Sequence, residues 1–382
     1  MDHKVWGMES LVEFWKDKKV LITGHTGFKG AWLSLFLQYL GAETIGVALD
    51  PISPLALFEQ AVVGQGMVDI RGDLGHPQLL LQVMQEHQPE IVFHLAAQSL
   101  VRPSYLDPKL TYMTNVMGTV QLFEAVRLAS SVKAVLNITS DKCYKNQEWH
   151  WGYREHDSLG GFDPYSTSKA CAELVTASYR QAFFQDKLGI ATARAGNVIG
   201  GGDWAEDRLV PDFVRSCISK TPLTIRSPES IRPWQHVLDP LFGYLQLAEH
   251  LYNDPARYGE AWNFGPSDSN CLPVQAIAKK LVQFWGPSAS YECIPNDQYH
   301  EATFLKLDSS KARAQLNWRP QLAIDNALQM TIDWYQKCLA QREDMRLFSL
   351  HQIQEYIKLQ NTKNQNQIFQ KTNIRQTQEV LA

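Results

Sequence analysis

The sequence predicts an α/β protein built on a doubly wound parallel sheet with a smaller α+β lobe, and three observations carry that prediction. Short, almost unbroken apolar runs alternate with amphipathic stretches through the first half of the chain. Three glycines, Gly24, Gly27 and Gly30, join the first apolar run to the first amphipathic one. After about residue 196 the rhythm gives way to Gly, Pro and Trp-rich segments such as "GNVIGGGDW", "SPESIRPWQHV" and "WNFGPSDSN".

The apolar runs Lys19 to Thr23, Thr44 to Leu49, Glu90 to Ala96, Ala134 to Ser140 and Ile190 to Ala195 are expected strands, with a further one ending at Asp73 and Leu74. Helical patterns lie near 29–40, 75–87, 116–129 and 165–184. Strands separated by helices run parallel, and their continuous apolar character means a sheet covered on both faces. Residues 1–195 are therefore expected to form a dinucleotide-binding domain, and 196–358 a lobe that covers the ligand edge of the sheet. From 359 to 382, Gln, Asn, Lys and Thr dominate. That stretch buries too little to offset its conformational entropy and is expected to be a disordered tail.

Composition narrows the partners. With a formal net charge of −4 over 382 residues, the chain has no general attraction for nucleic acid or an anionic membrane. The N-terminal "MDHKVWGMESLVEFWKDKK" lacks the apolar run of a signal peptide, and no 18-residue uncharged apolar window occurs. A cytoplasmic protein is expected. The 6 cysteines stand singly, without the close pairs of a zinc site or the density of a disulfide scaffold, so no metal is expected.

In "TGHTGFKG" the glycines allow a tight turn and let a pyrophosphate approach the helix N-terminus, so Gly24, His25, Thr26, Gly27, Phe28, Lys29 and Gly30 are candidate cofactor contacts. His25 and Lys29 would add cations there, although Lys29 also suits a solvated first helical turn. Asp50 lies about 26 residues past Gly24, near the spacing of a carboxylate that accepts the adenosine ribose hydroxyls. It would repel a 2′-phosphate and so favours NAD over NADP; beside Pro51 it reads equally as a turn residue. Asp73 and Leu74 end the third strand near an adenine position. The small Ala96 and Ala97 would let a cofactor lie against backbone.

The strongest chemical signal is "DPYSTSKACAEL". Pro164 suits a first helical turn, which puts Tyr165 and Lys169 at i and i+4 on one face. An ammonium beside a phenol lowers its pKa and makes it a usable base. Tyr-x-x-x-Lys alone is a common helix surface, but here it follows a glycine loop and a strand that delivers Ser140, Asp141 and Lys142 in "NITSDKCY".

With these motifs the chain resembles the extended short-chain dehydrogenase/reductases, and among them the nucleotide-sugar 4,6-dehydratases. The similarity spans about 10 to 350 and includes "TGHTGFKGAWLSL", "NITSDKCY", "WGYRE", "DPYSTSKACAELVT", "RAGNVIGGGDWA", "IRPWQHVLDPL" and "WNFGP". It implies a Rossmann sheet, NAD as cofactor, CDP-glucose as substrate, and a homo-oligomer, dimer or tetramer, supplying a deoxysugar for lipopolysaccharide O-antigen. It also implies roles. Ser140 binds the sugar 4-hydroxyl, Tyr165 takes its proton, and Lys169 lowers the Tyr165 pKa and holds the nicotinamide ribose. Hydride passes from sugar C4 to NAD, the new ketone acidifies the C5 proton, water leaves from C6, and the hydride returns to C6.

In related dTDP-glucose dehydratases the two residues after the triad hydroxyl are Asp and Glu, serving as acid and base. Here they are Asp141 and Lys142. A lysine near its reference pKa of about 10.4 is mostly charged at neutral pH, so Lys142 as the C5 base needs Lys169 and the nicotinamide to push it down. Its other reading is an ion pair that positions Asp141. The resemblance gives Asn197 and Arg232 to the substrate diphosphate and nucleotide, and Asp203, Trp204 and Arg208 to the cytosine end; the other reading of "IRPWQHV" is a packed edge, since Pro233 and Trp234 suit a core. Asn115 would support the active-site backbone. The competing functions are a nucleotide-sugar 4-epimerase, which needs no acid beside Ser140, a dehydratase for another nucleotide, and an NAD-sensing module, which should lack part of the triad.

Overall fold

The computed structural model describes residues 8–361 apart from 77, 186 and 295–301. Its centre is a seven-stranded parallel sheet: β1 Lys19–Thr23, β2 Glu43–Ala48, β3 Met67–Arg71, β4 Ile91–His94, β5 Ala134–Ile138, β6 Gly189–Arg194 and β7 Ala261–Asn263. The order is β7-β6-β5-β4-β1-β2-β3, with every pair parallel. The order reverses between β1 and β4, so the crevice at the carboxyl ends of those strands is the topological switch point where such sheets take their ligands. The expected doubly wound α/β class is what the chain forms.

The period-2 geometry of a strand accounts for the apolar runs. Val20, Ile22, Ile91, Phe93, Leu136 and Ala193 enter one core, while Leu21, Val47, Val92, Val135 and Ile190 enter the other. Helices α1 Phe28–Tyr39 and α5 Leu238–Asn253 cover the first face. Helices α2 Leu79–His87 and α3 Gly118–Leu128 cover the second, with α4 Pro164–Tyr179 packed beside them. Each fully buried Leu, Ile or Val contributes roughly 1.5–3 kcal/mol, which is why the cores, and not local propensity, fix the element pairing.

Two differences from the sequence reading concern the boundary at 195. The strand β7 and the helix α5 both come from beyond it, yet they complete and cover the same sheet. The rest of the second half does form an irregular α+β region. Its strand pairs are 198–199 with 235–236, 231–233 with 271–273, and 223–225 with 291–293, alongside the helices Leu209–Ser219 and Val274–Trp285. At the other end, a helix over 345–361 runs past the expected tail boundary at 359. Gln360 is buried there and donates to the Tyr356 hydroxyl at 2.7 Å, so the polar stretch begins inside an ordered element. Residues 362–382 lie outside the described residues.

Candidate active site

The site grows from three chain segments that end or begin at the switch point. The first is the glycine turn. Gly24 has φ +77, and a Cβ there would come within 2.7 Å of the Ala96 amide nitrogen; a Cβ on Gly30 would lie 2.1 Å from the Gly24 carbonyl oxygen. Only glycine permits this close approach of loop, helix and the end of β4. Thr26 donates to the Leu49 carbonyl at 2.8 Å and so ties the turn to β2. Gly27 begins α1 with no side-chain cap, leaving the first helical amides open to an anion.

The second segment is the end of β5. The strand stops at Ile138, and the chain closes into a single turn over Asp141–Cys143. Ser140 caps this turn, its Oγ accepting from the Lys142 amide at 3.1 Å and donating to Asp141 Oδ1 at 2.9 Å. The third is α4. Asp163 caps it through the Ser166 amide at 2.9 Å, and Pro164 occupies the first helical position. Tyr165 and Lys169 follow on one face, both buried.

Ser140, Asp141, Lys142 and Tyr165 line one cavity of about 300 Å³. Lys29, Asn197, Asp203, Arg208 and Arg232 line it too. Asp141 is 4% exposed and its Oδ2 has no hydrogen-bond partner among the described residues. Burial pushes its carboxyl pKa up, opposed in part by Lys142, Ser140, Arg232 and Lys29, which favours the protonated form an acid requires. The Lys142 ammonium makes no hydrogen bond or ion pair among the described residues. The positive charge that bears most on Lys169 is that of Lys29.

Several residues stand differently from their expected roles. His25 does not face the turn's open side. Its ring lies over Gly46, where a Cβ would sit 2.3 Å away, and its Nε2 meets Asp69 Oδ1 at 2.8 Å. Burial lowers its pKa, so it is a poor cation for a pyrophosphate. Lys29 extends into this cavity, where burial and then the Arg208 charge bring its pKa to about 8. Trp204 is buried, its Nε1 donating to the Leu55 carbonyl at 2.6 Å and its ring edge-on to Tyr335. It packs the lobe and does not line the cavity. Asp203 is engaged by Arg208 at 2.8 Å, so it orients that guanidinium.

Tyr165 departs from expectation in its charge balance. Burial pushes its phenol up to about 12, with Ser140 the largest opposing influence. Lys169 donates instead to the Ile138 carbonyl at 3.2 Å, and burial lowers its pKa to about 8. The remaining candidates sit along the sheet edge. Ala96 donates its amide to Thr23 Oγ1 at 3.3 Å, with Ala97 next to it. Asp73 is exposed and accepts from the Gly75 amide at 2.8 Å, while Leu74 is buried. The Asp50 side chain is 89% exposed, with Arg71 at 3.5 Å.

Sequence reasoning missed two groups. Arg102 and Arg226 line the cavity on either side of Asp207, at 3.5 and 2.9 Å. "TIRSP" carries no local signal, because Arg226 becomes a cavity residue only when its strand pairs. Beneath the cavity lies a buried Glu173–Arg194 pair, Nη2 to Oε2 at 2.7 Å. The i+4 spacing from Lys169 to Glu173 was visible, but nothing local marks Arg194 as its partner. Asn115 holds the chain after β4, accepting from the Gln98 amide at 2.8 Å and donating to the Ser168 hydroxyl at 2.8 Å. Among the described residues no group of three or more His, Cys, Asp or Glu could hold a metal ion.

Residues 21–331 match the family model described as GDP-mannose 4,6 dehydratase. A CDP-glucose 4,6-dehydratase of Salmonella typhimurium strain LT2 is 49% identical over 350 residues, covering 90% of this chain and 97% of the relative. A dTDP-glucose 4,6-dehydratase of Xanthomonas campestris pv. campestris is 26% identical, covering 82% of this chain and 92% of the relative. Among solved structures, dTDP-glucose 4,6-dehydratase from Bacillus anthracis in complex with NAD superposes with TM-score 0.69 at 22% identity, covering 86% of this chain and 98% of the other. UDP-glucuronic acid 4-epimerase from Bacillus cereus, in complex with UDP-glucuronic acid and NAD, gives 0.72 at 23%, covering 84% and 99%.

Proposed function

We propose that this chain, which belongs to the GDP-mannose 4,6 dehydratase family within the extended short-chain dehydrogenase/reductases, converts CDP-glucose to CDP-4-keto-6-deoxyglucose. The observation that carries the reading is Asp141, a buried carboxyl held toward its acid form in the same cavity as Ser140 and Tyr165. An epimerase has no use for an acid there. A dehydratase needs one to turn the C6 hydroxyl into a leaving group.

The uncapped N-terminus of α1 and the exposed carboxylate of Asp50 fit a dinucleotide, held through Gly24, Gly27, Ala96 and Asp50. Bound there, NAD would take the C4 hydride and return it to C6, and its positive charge would oppose the upward push that burial gives Tyr165. The chain's own groups do the rest. Ser140 Oγ orients the sugar 4-hydroxyl, and Tyr165 Oη takes its proton. Lys169, one helical turn on and tied to the Ile138 carbonyl, would hold the cofactor's ribose. With C4 a ketone, the C5 proton goes to a base, for which Lys142 is the candidate on the cavity wall, while Asp141 Oδ2 protonates the C6 oxygen, which leaves as water. A proton delivered to C5 then completes the 6-deoxy sugar. Asn197, Arg208 and Arg232 face the diphosphate and nucleotide, where a forked guanidinium suits phosphate oxygens.

The working form is a homo-oligomer. Leu106, Leu110, Met113, Met117 and Leu174 are exposed on helices that neighbour one another, an apolar surface that supports a second copy. A cytoplasmic setting is supported by the six free cysteines; among the described residues, no helix is long and apolar enough to cross a membrane. The test is a panel of CDP-, dTDP-, GDP- and UDP-sugars with ultraviolet detection of the 4-keto product. CDP-glucose should be turned over best, without net accumulation of NADH. Preference for another nucleotide, or a product that keeps its C6 hydroxyl, would overturn the reading.

A further inference from the structure

Ser140, Asp141 and Lys142 sit on one short turn, and both ends of that turn are tied to the same pair of buried charges. Before it, Thr139 donates its hydroxyl to Glu173 Oε1. After it, the Tyr144 hydroxyl accepts from Arg194 Nη1 at 2.8 Å and donates to Asn263 Oδ1, at the end of β7, at 2.7 Å. Glu173 and Arg194 are themselves joined by two parallel bonds, Nε to Oε1 at 2.9 Å and Nη2 to Oε2 at 2.7 Å. Thr192 adds a hydroxyl to Oε2 at 2.7 Å, and Arg194 Nη1 also reaches the Glu155 carbonyl at 3.0 Å. Both side chains are 3% exposed.

Glu173 lies on α4, eight residues past Tyr165 and four past Lys169, so it shares their face of the helix. Arg194 ends β6, three residues before Asn197. One ion pair thus bridges the helix of the proton acceptor, the turn of the elimination pair and the strand that leads to the diphosphate. A buried pair of this kind gives little net stability over apolar residues of the same volume. What it supplies here is geometry, since a planar guanidinium locked bidentately to a carboxylate fixes distance and angle together.

We propose that Glu173 and Arg194 are positioning residues that set the placement of the Ser140–Lys142 turn against Tyr165. Neither lines the cavity. They act through Thr139 and Tyr144, and a shift of about 1 Å in reacting groups costs on the order of 10² in rate. The kinetic part of this proposal rests on the dehydratase reading above.

The test is Arg194→Lys, which keeps the buried charge but cannot make the two parallel bonds and reach Tyr144 as well. Thr139→Val accompanies it, cutting one tie while leaving the ion pair whole should Arg194→Lys fail to fold. With saturating NAD, kcat should fall by about 10- to 100-fold in each folded variant while KM stays within about threefold, because Asn197 and Arg232 are untouched. Amide hydrogen exchange across 140–144, which needs no substrate, should quicken by at least about tenfold relative to the sheet strands. A kcat within about twofold of the parent, or unchanged exchange across that turn, would overturn the proposal. If the parent protein turns over no nucleotide sugar, the dehydratase reading fails and the exchange measurement alone decides the brace.

Discussion

In the proposed reaction, Asp141 and Lys142 are where the chemistry is most exposed to a single substitution. Asn at 141 keeps the shape and the bond from Ser140 but delivers no proton, while Ser140, Tyr165 and Lys169 are untouched. Asp141→Asn should therefore still oxidise C4, seen as a transient of bound NADH, and release product at least about 10²-fold more slowly. Lys142→Met should stall at the same point and lose solvent deuterium exchange at C5 if Lys142 is the base. If it only positions Asp141, the exchange persists. That Ser140, Asp141, Lys142 and Tyr165 meet at one cavity was legible because strand, glycine loop and Tyr-x-x-x-Lys each imply the others. His25 and Trp204 were not. Residue type and spacing cannot show that an imidazole folds back over Gly46 toward Asp69, or that an indole turns away from a cavity to reach Leu55.

Elements were easier to read than their ends. A five-residue apolar run is enough to announce β1 or β5, but not the turn over Asp141–Cys143 that follows β5, which Ser140 caps. The three-residue β7, which runs into "WNFGP", is too short to show a period. Helix α4 announces itself through Pro164, and the structure adds the Asp163 cap. Its cap is doubled, since the Ser166 hydroxyl also donates to Asp163 Oδ2 at 2.6 Å. Asp163→Ala should cost about 0.5–2 kcal/mol, read as a lower denaturant midpoint with an unchanged slope. An unchanged midpoint would mean that packing alone holds the start of α4.

At the scale of the whole molecule, the doubly wound class was legible while the division at 195 was not, because sheet closure draws on residues far apart in sequence. Helix α5 lays Leu241, Leu245 and Ala248 into the core that also holds Leu136 and Ala193, and β7 pairs with β6. A chain ending at 195 should therefore be insoluble or lack a cooperative unfolding transition. A soluble, cooperatively folded 1–195 would restore the two-domain reading. The same scale governs the reaction, since in the proposed cycle one hydride leaves the sugar and returns to it without net oxidation. The most direct measurement is the fate of deuterium placed at C4 of CDP-glucose. The account predicts a 4-keto-6-deoxy product with that deuterium in its C6 methyl group. A product that retains both the C6 hydroxyl and deuterium at C4, or label that accumulates in free reduced cofactor, would contradict it.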